Sequence, residues 1–248
     1  MEKTIDRNKV LELYNKGMSD AKIARILGAS PNGIGHIRKD IFHLPIVTKS
    51  ISLTRDMEEV LVGTVLGDAW LGYIHNQCRF PKIVITHCKA QKEYCNALTK
   101  WLKPIIVSVR EHSYDNVCIF NGKKYRRDST IVISGRNVEC LVPWREAFYK
   151  NGVKVIPLEF IKPRFTVKSL AVLYMDEGCK NGTGYNLNMQ SYTLEELQKF
   201  IDFLFQKFNL EFIIKKDKTL YLRHSSTKLF TSLIRPYITN DMLYKIQQ

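Results

Sequence analysis

Two apolar segments of the chain end in an acidic residue where a helix should stop. They read LVGTVLGDAWLG at residues 61–72 and SLAVLYMDEGCKNGTG at residues 169–184. Aligning LVGTVLGDA with LAVLYMDEG places Asp68 opposite Glu177. Because the C-terminus of a helix carries partial negative charge and favours Lys or Arg, an acid there is destabilising unless a cation compensates it. The sequence therefore predicts a positive group close to these acids.

The residues that follow the two segments repeat as well. His87 stands before one predicted helix as Gln190 stands before another, and Lys154 and Lys245 begin the short segments that close the two parts. The separations differ between the pairs, which indicates two diverged copies with insertions. Such a tandem duplication predicts two similar halves around a pseudo-two-fold axis. The predicted halves are residues 57–157 and 158–248.

Small residues in both segments predict that the two helices pack closely. Gly63 and Gly67 lie four apart on one helix face, and Ala171 has a similar role in the other segment. If the helices pack in parallel, Asp68 and Glu177 emerge side by side, where they repel or share a proton unless a divalent cation sits between them. Mg²⁺ binds one or two carboxylates and leaves positions for water and phosphate oxygens. The alternative is an ordinary acid-glycine turn after an apolar helix, which a single copy would not exclude.

This pair of motifs resembles the LAGLIDADG homing endonucleases of the two-motif monomeric kind, over residues 57–248. The resemblance implies an α+β fold with a duplicated αββαββα core and an antiparallel sheet of each half in the DNA major groove. It also implies site-specific double-strand cleavage of DNA with Mg²⁺, or Mn²⁺, as cofactor and a metal-activated water as nucleophile. The family usually leaves short 3′ overhangs.

The same resemblance assigns site residues. The acids at the eighth motif position, Asp68 and Glu177, are the expected catalytic metal ligands, and Asp176 is an accessory acid. Lys154 and Lys245 match the catalytic basic residues near the scissile phosphates. Two further polar residues are expected to help order water, and they are His87 and Gln190. The chain departs from the family in having Glu at the second site and Val172 where a glycine is usual.

The charge of the chain also favours a polyanionic partner. Lys and Arg number 38 against 24 Asp and Glu, giving a formal net charge of +14, which bears on association with nucleic acid rather than on fold. No apolar run approaches the roughly 20 residues of a membrane span, and the start MEKTIDRNK has no apolar signal core. Six cysteines show no disulfide framework. These features predict an intracellular protein, cytoplasmic or organellar, with no membrane partner.

The first 45 residues predict a small all-α module. Ser19 is a good N-cap, Gly28 suits a left-handed turn, and Ser30 caps a second helix that has Pro31 at its first position. The pattern resembles the helix-turn-helix of bacterial and phage DNA-binding proteins, although a purely structural hairpin would share part of it. The outward face of the second helix would meet DNA through Ser30, Asn32, His36 and Lys39. Residues 46–56 read as an extended linker.

Alternating apolar and polar residues predict strands that would read DNA. Alternation at Thr219 to Arg223 places Tyr221 and Arg223 on one face, and Thr130, Val132 and Ser134 share a face in another strand. A similar pattern lies near Arg79 and Lys82, and Gln190 is a further candidate DNA contact. The segment NGKKYRRD predicts a basic hairpin tip that contacts phosphates, with a solvated charged loop as the alternative. Its basic residues are Lys123, Lys124, Arg126 and Arg127.

Two other functions remain open at this stage. A non-catalytic transcriptional regulator could combine degenerate motifs of this kind with a helix-turn-helix, although acids at both eighth positions argue against it. An RNA maturase that assists splicing of a host intron is the other, with intron RNA as partner. The leading expectation is a monomeric endonuclease that binds double-stranded DNA.

Overall fold

The computed structural model describes residues 5–44, 51–74, 78–113, 117–120, 123–126, 128–182 and 184–246. The chain divides into two compact units, Met1–Ser50 and Ile51–Gln248. This boundary falls inside the predicted linker 46–56, and the second part of that linker is not a free connection. Ile51 and Leu53 pack against the core of the larger unit, and its first helix begins at Arg55, two residues before the predicted start at Met57.

The smaller unit is a set of short helices around its own apolar core. The helices are α1 (Arg7–Asn15), α2 (Asp20–Leu27) and α3 (Pro31–His36), followed by one π-helical turn (Ile37–Ile41). Gly28 ends α2 with φ of 63°, and the Ser30 hydroxyl accepts a hydrogen bond from the backbone N–H of Gly33. Ile23 and Ile34 are fully buried between the helices. The helical hairpin predicted from the sequence is therefore present.

The first half of the larger unit alternates helices and antiparallel strands. Its elements are α4 (Arg55–Leu66), β1 (Trp70–Gly72), β2 (Lys82–Cys88), α5 (Lys92–Trp101), β3 (Ile106–His112), β4 (Val117–Phe120), β5 (Lys123–Arg126), β6 (Thr130–Gly135), α6 (Val142–Phe148), β7 (Tyr149–Lys150) and β8 (Val153–Lys154). Strands β4 and β5 form a separate hairpin, with Phe120 paired to Lys123. Without that insertion and the short β7–β8 hairpin, the half is αββαββα.

The second half repeats this order. Its elements are α7 (Leu158–Ile161), α8 (Val167–Glu177), β9 (Gly178–Asn181), β10 (Gly184–Leu187), α9 (Leu194–Phe208), β11 (Phe212–Ile214), β12 (Leu220–Leu222) and α10 (Thr227–Ile234). The two main sheets have the strand orders β1-β2-β6-β3 and β11-β12-β10-β9, with antiparallel pairing throughout. The α+β fold with duplicated αββαββα halves is confirmed.

Helices α4 and α8 pack against each other at the centre of the larger unit. A Cβ on Gly63 would lie 2.5 Å from the carbonyl oxygen of Ser169 and 2.7 Å from the Cβ of Val172. Val172, rather than Ala171, therefore occupies the space that Gly63 leaves open. The Val172 side chain fits because Gly63 has no side chain. The valine at this position, where the family usually has glycine, therefore does not loosen the packing of α4 on α8.

Each main sheet has one buried and one open face. In β6, Ile131 and Ile133 are buried while Thr130, Val132 and Ser134 are partly exposed, as the alternation predicts. In β12, Tyr221 lies between buried Leu220 and Leu222. The helices cover the apolar faces, which leaves the polar faces available to a ligand. Among the helices of the described part of the chain, none has the length and apolar character needed to span a membrane.

Candidate metal centre at the helix ends

The carbonyl ends of α4 and α8 are each closed by a lysine. Lys154 Nζ donates to the carbonyl oxygens of Gly67 at 2.8 Å and Ala69 at 3.0 Å. Lys245 Nζ donates to those of Met175 at 2.6 Å and Asp176 at 3.4 Å. Helix C-termini leave unpaired carbonyls and partial negative charge, and each ammonium group compensates both. These lysines are the positive groups that the two acidic helix ends require.

Burial lowers the pKa of both lysines, and the neighbouring acids oppose that effect. For Lys154 the strongest acidic influence is Glu177, which belongs to the other half. For Lys245 it is Asp176, followed by Asp68 of the other half. The closing lysine of each half therefore lies in the field of an acid from the opposite half, although its hydrogen bonds go to its own helix.

Asp176 is the most enclosed acid of the site, with a side chain that is 0% exposed. Its Oδ1 accepts a hydrogen bond of 2.6 Å from the Tyr94 hydroxyl, and its Oδ2 accepts one of 3.3 Å from the backbone N–H of Asp68. Its side chain occupies the space beside Gly67. Burial, and next the charge of Asp68, raise the pKa of Asp176 to about 8. Burial disfavours the charged form of the carboxyl group, and the negative charge of Asp68 repels a second one beside it.

His87, on β2, lies between the acids of the two halves. Its Nδ1 is 3.5 Å from Asp68 Oδ2 and its Nε2 is 3.5 Å from Asp176 Oδ1. Within the described residues, Nε2 is buried with no hydrogen-bond partner, which is uncommon for an interior polar atom. Burial lowers the pKa of His87, while the charge of Asp68 acts in the opposite direction.

These three side chains form a compact set of possible metal ligands. One ligand atom from each of Asp68, His87 and Asp176 lies within 4.8 Å of the others. The Asp68 side chain is 40% exposed, so the set is reachable from solvent. Two carboxylates with repelling charges and an orphaned imidazole nitrogen suit a divalent cation, which would relieve the repulsion and pair the nitrogen. The donor set therefore suits a divalent cation.

This grouping differs from the predicted ligand pair of Asp68 and Glu177. Asp176, predicted to be accessory, meets Asp68 because it faces the helix interface at Gly67. Glu177 is the next residue, turned about 100° around the helix axis, and it is not one of the three grouped residues. Burial, followed by the charges of Asp68 and Asp176, raises the pKa of Glu177 to about 7. Glu177 thus lies within the electrostatic field of the same centre.

The predicted DNA-contacting residues of the smaller unit are all on its surface. Exposed positions include Ser30, Asn32, His36 and Lys39. The Ser30 hydroxyl is the cap of α3, and His36 Nδ1 lies 2.6 Å from Asp40 Oδ2. The face predicted for α3 is therefore accessible, with Asn32 and Lys39 free of any contact that competes with a ligand in the described structure.

The predicted contacts of the larger unit are more varied. Arg79 is exposed, and Lys82 borders an open cavity of about 480 Å³ on the polar face of the first sheet. Gln190 donates to the Thr219 hydroxyl at 2.9 Å, so its amide is turned to the sheet. The remaining predicted strand residues already contact other side chains. Lys215 Nζ lies 4.6 Å from the centre of the Tyr221 ring, and Arg223 Nε is 3.5 Å from Glu211 Oε2.

The basic hairpin is only partly described. Lys123, Lys124 and Arg126 lie in β5, and Lys124 is exposed. Asn121, Gly122 and Arg127 lie outside the described residues.

Sequence reasoning missed two basic residues on the polar face of the first sheet and one residue of the metal centre. Arg110 on β3 is exposed and pairs with Val132, and Arg136 follows β6; both border the cavity that Lys82 lines. The alternation in the segment IVSVREH could have identified Arg110. Tyr94 carries no local signal, because its partner Asp176 is 82 residues away.

Comparison with known proteins decides the family. The model of the LAGLIDADG DNA endonuclease family matches residues 58–231, which include both acidic helix ends and both sheets. The chain belongs to the LAGLIDADG DNA endonuclease family. As a LAGLIDADG protein with this fold, it is a site-specific DNA endonuclease.

Relatives of this LAGLIDADG protein include an intron-encoded endonuclease and a maturase. The probable intron-encoded endonuclease 1 of Wickerhamomyces canadensis is 26% identical over 209 residues, covering 79% of this chain and 85% of that protein. A cytochrome b mRNA maturase, bI2 of Debaryomyces hansenii, is 31% identical over 107 residues, covering 40% of this chain and 39% of its own length. The solved structure of the homing endonuclease I-WcaI bound to its DNA recognition sequence superposes with a TM-score of 0.69 at 22% identity, covering 85% of this chain and 97% of that one. That likeness concerns the fold.

Proposed function

We propose that this LAGLIDADG endonuclease makes double-strand breaks in DNA at a long recognition site, and that a divalent cation held at the ends of α4 and α8 is required. The observation that carries the proposal is the meeting of Asp68 from the first half with Asp176 from the second, where Asp176 accepts a hydrogen bond from the Asp68 backbone. The duplicated fold would bring one acid of each half, Asp68 and Glu177, to this shared centre between the two DNA strands.

Asp68, His87 and Asp176 would hold the cation, with Glu177 beside them on the second half. Their oxygen-rich donor set suits Mg²⁺ or Mn²⁺. When bound, such an ion lowers the pKa of water and stabilises negative charge on a phosphate. Hydrolysis joins a water oxygen to phosphorus and breaks the scissile P–O bond.

The protein's own cations have a distinct role in this proposal. Lys154 and Lys245 neutralise the carbonyl ends of α4 and α8, so a phosphate that approaches Asp68 or Glu177 meets less repulsion from the helix dipoles. Because their ammonium groups donate to backbone carbonyls, these lysines also fix the position of the residues on which the acids stand.

DNA recognition is divided between the two units. In the larger unit, the polar sheet faces would contact the major groove, with Lys82, Arg110 and Arg136 on the first sheet and Tyr221 and Arg223 on the second. In the smaller unit, Asn32 on α3 and Lys39 on the π-helical turn that follows it would add contacts beyond the cut, raising effective concentration. Phosphate contacts by such cations should make affinity fall steeply with salt.

The direct test is cleavage of a plasmid that carries candidate target sequences. Linear product should form with Mg²⁺ or Mn²⁺, should vanish with a chelator, and should vanish in Asp68→Asn. The surface variant Glu195→Gln, which alters only an exposed pair with Lys199, should cut normally. Tight binding to the target without any cutting, unchanged by Asp68→Asn, would instead identify a DNA-binding regulator.

A second candidate activity is supported by the maturase relative described above. In that case the chain would bind the intron RNA and accelerate its splicing. A splicing assay of the candidate intron with and without the protein separates the two, since Asp68→Asn should abolish DNA cutting while leaving an RNA-binding role in place.

A further inference from the structure

The environment of Asp176 is built from the first half of the protein. Its carboxylate lies 2.6 Å from the Tyr94 hydroxyl, 3.3 Å from the Asp68 backbone nitrogen and 3.5 Å from His87 Nε2, and the Thr64 side chain of α4 lies beside it as well. Tyr94 itself is fully buried and held from two sides. Its backbone N–H donates to Asp241 at 3.1 Å, and its ring packs 5.0 Å from that of His87.

Among its described residues, the second half holds Asp68 and Asp176 by no equivalent contact, and its buried Tyr192 hydroxyl donates instead to the carbonyl oxygen of Leu66 at 2.7 Å. Asp176 corresponds to Gly67, and a Cβ at Gly67 would lie 2.6 Å from the Cβ of Asp176, so the interface has room for a side chain at only one of the two positions. Aligning His87 with Gln190 places Tyr94 opposite Leu197, which is buried but has no hydroxyl.

Gln190, the residue that corresponds to His87, also makes a different contact. Gln190 donates to the Thr219 hydroxyl at 2.9 Å, whereas His87 lies between the two acids. The contacts that connect Tyr94, Asp176 and Asp68 therefore have no equivalent among the described residues of the second half, although the fold is duplicated.

The Tyr94 hydroxyl controls this connection because it is the strongest contact that Asp176 makes. At 2.6 Å this O–H···O hydrogen bond is at the short end of the usual range, and it holds Oδ1 so that Oδ2 remains directed at the Asp68 N–H. Loss of the hydroxyl frees the carboxylate to rotate, and Asp68 then loses its backbone partner.

We propose that Tyr94 is a positioning residue that acts through Asp176 to fix Asp68, and that the two DNA strands are consequently cut at unequal rates. The part of this proposal that concerns the cleavage rates of the two strands rests on the proposed nuclease function. It needs no bound metal for its structural part, because the contacts from Tyr94 to Asp68 are present in the protein alone.

Tyr94→Phe tests the strand assignment, because it removes the hydroxyl and keeps the buried ring. A target duplex labelled on each strand separately gives the two single-strand cleavage rates in single-turnover reactions. Tyr94→Phe should slow one strand about 10- to 100-fold, as expected for a reacting group displaced by a fraction of an ångström to 1 Å, and the other strand about 2-fold or less. Equal slowing of both strands, or no slowing, would overturn the proposal.

Tyr185→Phe is the matched control. It also removes a buried tyrosine hydroxyl that donates to a backbone carbonyl, that of Ile246 at 3.2 Å, and it lies outside the group of acids. A similar loss of folding stability with an unchanged ratio of strand rates is expected. A ratio that moves as much as in Tyr94→Phe would show that general loosening is the cause.

Amide hydrogen exchange in the metal-free protein gives an independent readout. Measured by NMR, exchange of the Asp68 N–H should be about 10-fold faster in Tyr94→Phe and unchanged in Tyr185→Phe, in line with loss of about 1.4 kcal/mol of protection. Unchanged exchange in both variants would overturn the positioning role. If the unaltered protein cuts no DNA, the nuclease proposal fails, while this measurement still decides whether Tyr94 fixes Asp68.

Discussion

Gly63 lies so close to Val172 that a Cβ on the glycine would be 2.7 Å from the Cβ of the valine. This contact between α4 and α8 brings the ends of the two helices together, and those ends carry Asp68 and Asp176. The position of the candidate metal centre therefore depends on a packing contact about one helical turn away.

Gly63→Ala should destabilise the larger unit. The added methyl group would meet the Ser169 carbonyl and Val172, neither of which is the free end of a flexible chain, so a cost of about 1–3 kcal/mol is expected from overpacking. Urea denaturation measures it. Gly35→Ala in α3 is the matched control, because its Cβ would have an ordinary 3.4 Å contact, and a gain of about 0.5–1 kcal/mol from helix propensity is expected for the smaller unit. Equal stability of Gly63→Ala and the unaltered protein would contradict close packing.

The stability of the metal-free protein should fall as pH rises from about 4 to about 8. Asp176 has its pKa raised from 3.8 to about 8, so the folded state keeps a proton that the unfolded state has lost, and unfolding is favoured as pH increases through this window. The raised pKa of Glu177 adds to the slope below about 7. The lowered pKa of His87 opposes it near and below pH 6.5.

Asp176→Asn should remove most of that slope. Denaturation in the presence of a chelator, at several pH values, gives the free energy of unfolding for both proteins. Added Mg²⁺ should also flatten the profile of the unaltered protein, since a cation stabilises the charged acids. A profile that rises between pH 4 and 8 in the unaltered protein would show that these acids are not buried together.

Lys154→Met should lower stability and cleavage together. The carbonyls of Gly67 and Ala69 would lose their donor in a partly buried place, which costs about 1–3 kcal/mol. Lys103→Met is the control, because Lys103 is exposed and makes no side-chain contact in the described part of the structure. Thermal unfolding and plasmid cleavage measure the two effects. A Lys154 variant that behaves like the Lys103 variant would exclude the capping role.

Removing residues 1–50 should weaken DNA binding and preserve metal-dependent nicking at high enzyme concentration. The deletion stops before Ile51 and Leu53, which pack against the larger unit, so that unit should remain folded. Fewer phosphate contacts should also reduce the dependence of affinity on salt. Binding isotherms at several salt concentrations provide the measurement. If the shortened protein bound as tightly, with the same salt dependence, the smaller unit would have no part in DNA binding.

Local signals in the sequence predicted local structure well. Gly28 adopts the left-handed conformation that ends α2, Ser30 caps α3, and the alternation at residues 130–134 forms a strand with Ile131 and Ile133 inside. The predicted linker 46–56 includes the start of α4, which begins at Arg55 with Thr54 as its N-cap. These features depend on a few neighbouring residues, which is why pattern and capping preferences are sufficient.

The metal centre was predicted less completely because its contacts are non-local. The motif alignment identified Asp68 and Glu177, yet only the packing of α4 on α8 determines that Asp176 faces Gly67. The hydrogen bond from Tyr94 to Asp176 spans 82 positions and that from Lys154 to Gly67 spans 87. No period or local motif encodes such pairs, so the sequence proposed candidate groups but not which of them meet.

In the proposed function, acids from the two halves hold one divalent metal centre against the DNA. Anomalous diffraction from crystals of the protein bound to target DNA, grown with Mn²⁺, tests it most directly. We expect a manganese peak within about 2.0–2.6 Å of a carboxylate oxygen of Asp68, with a carboxylate of Asp176 or Glu177 in the same centre. Manganese bound elsewhere, with Asp68 free of metal in a complex that cuts its DNA, would contradict it.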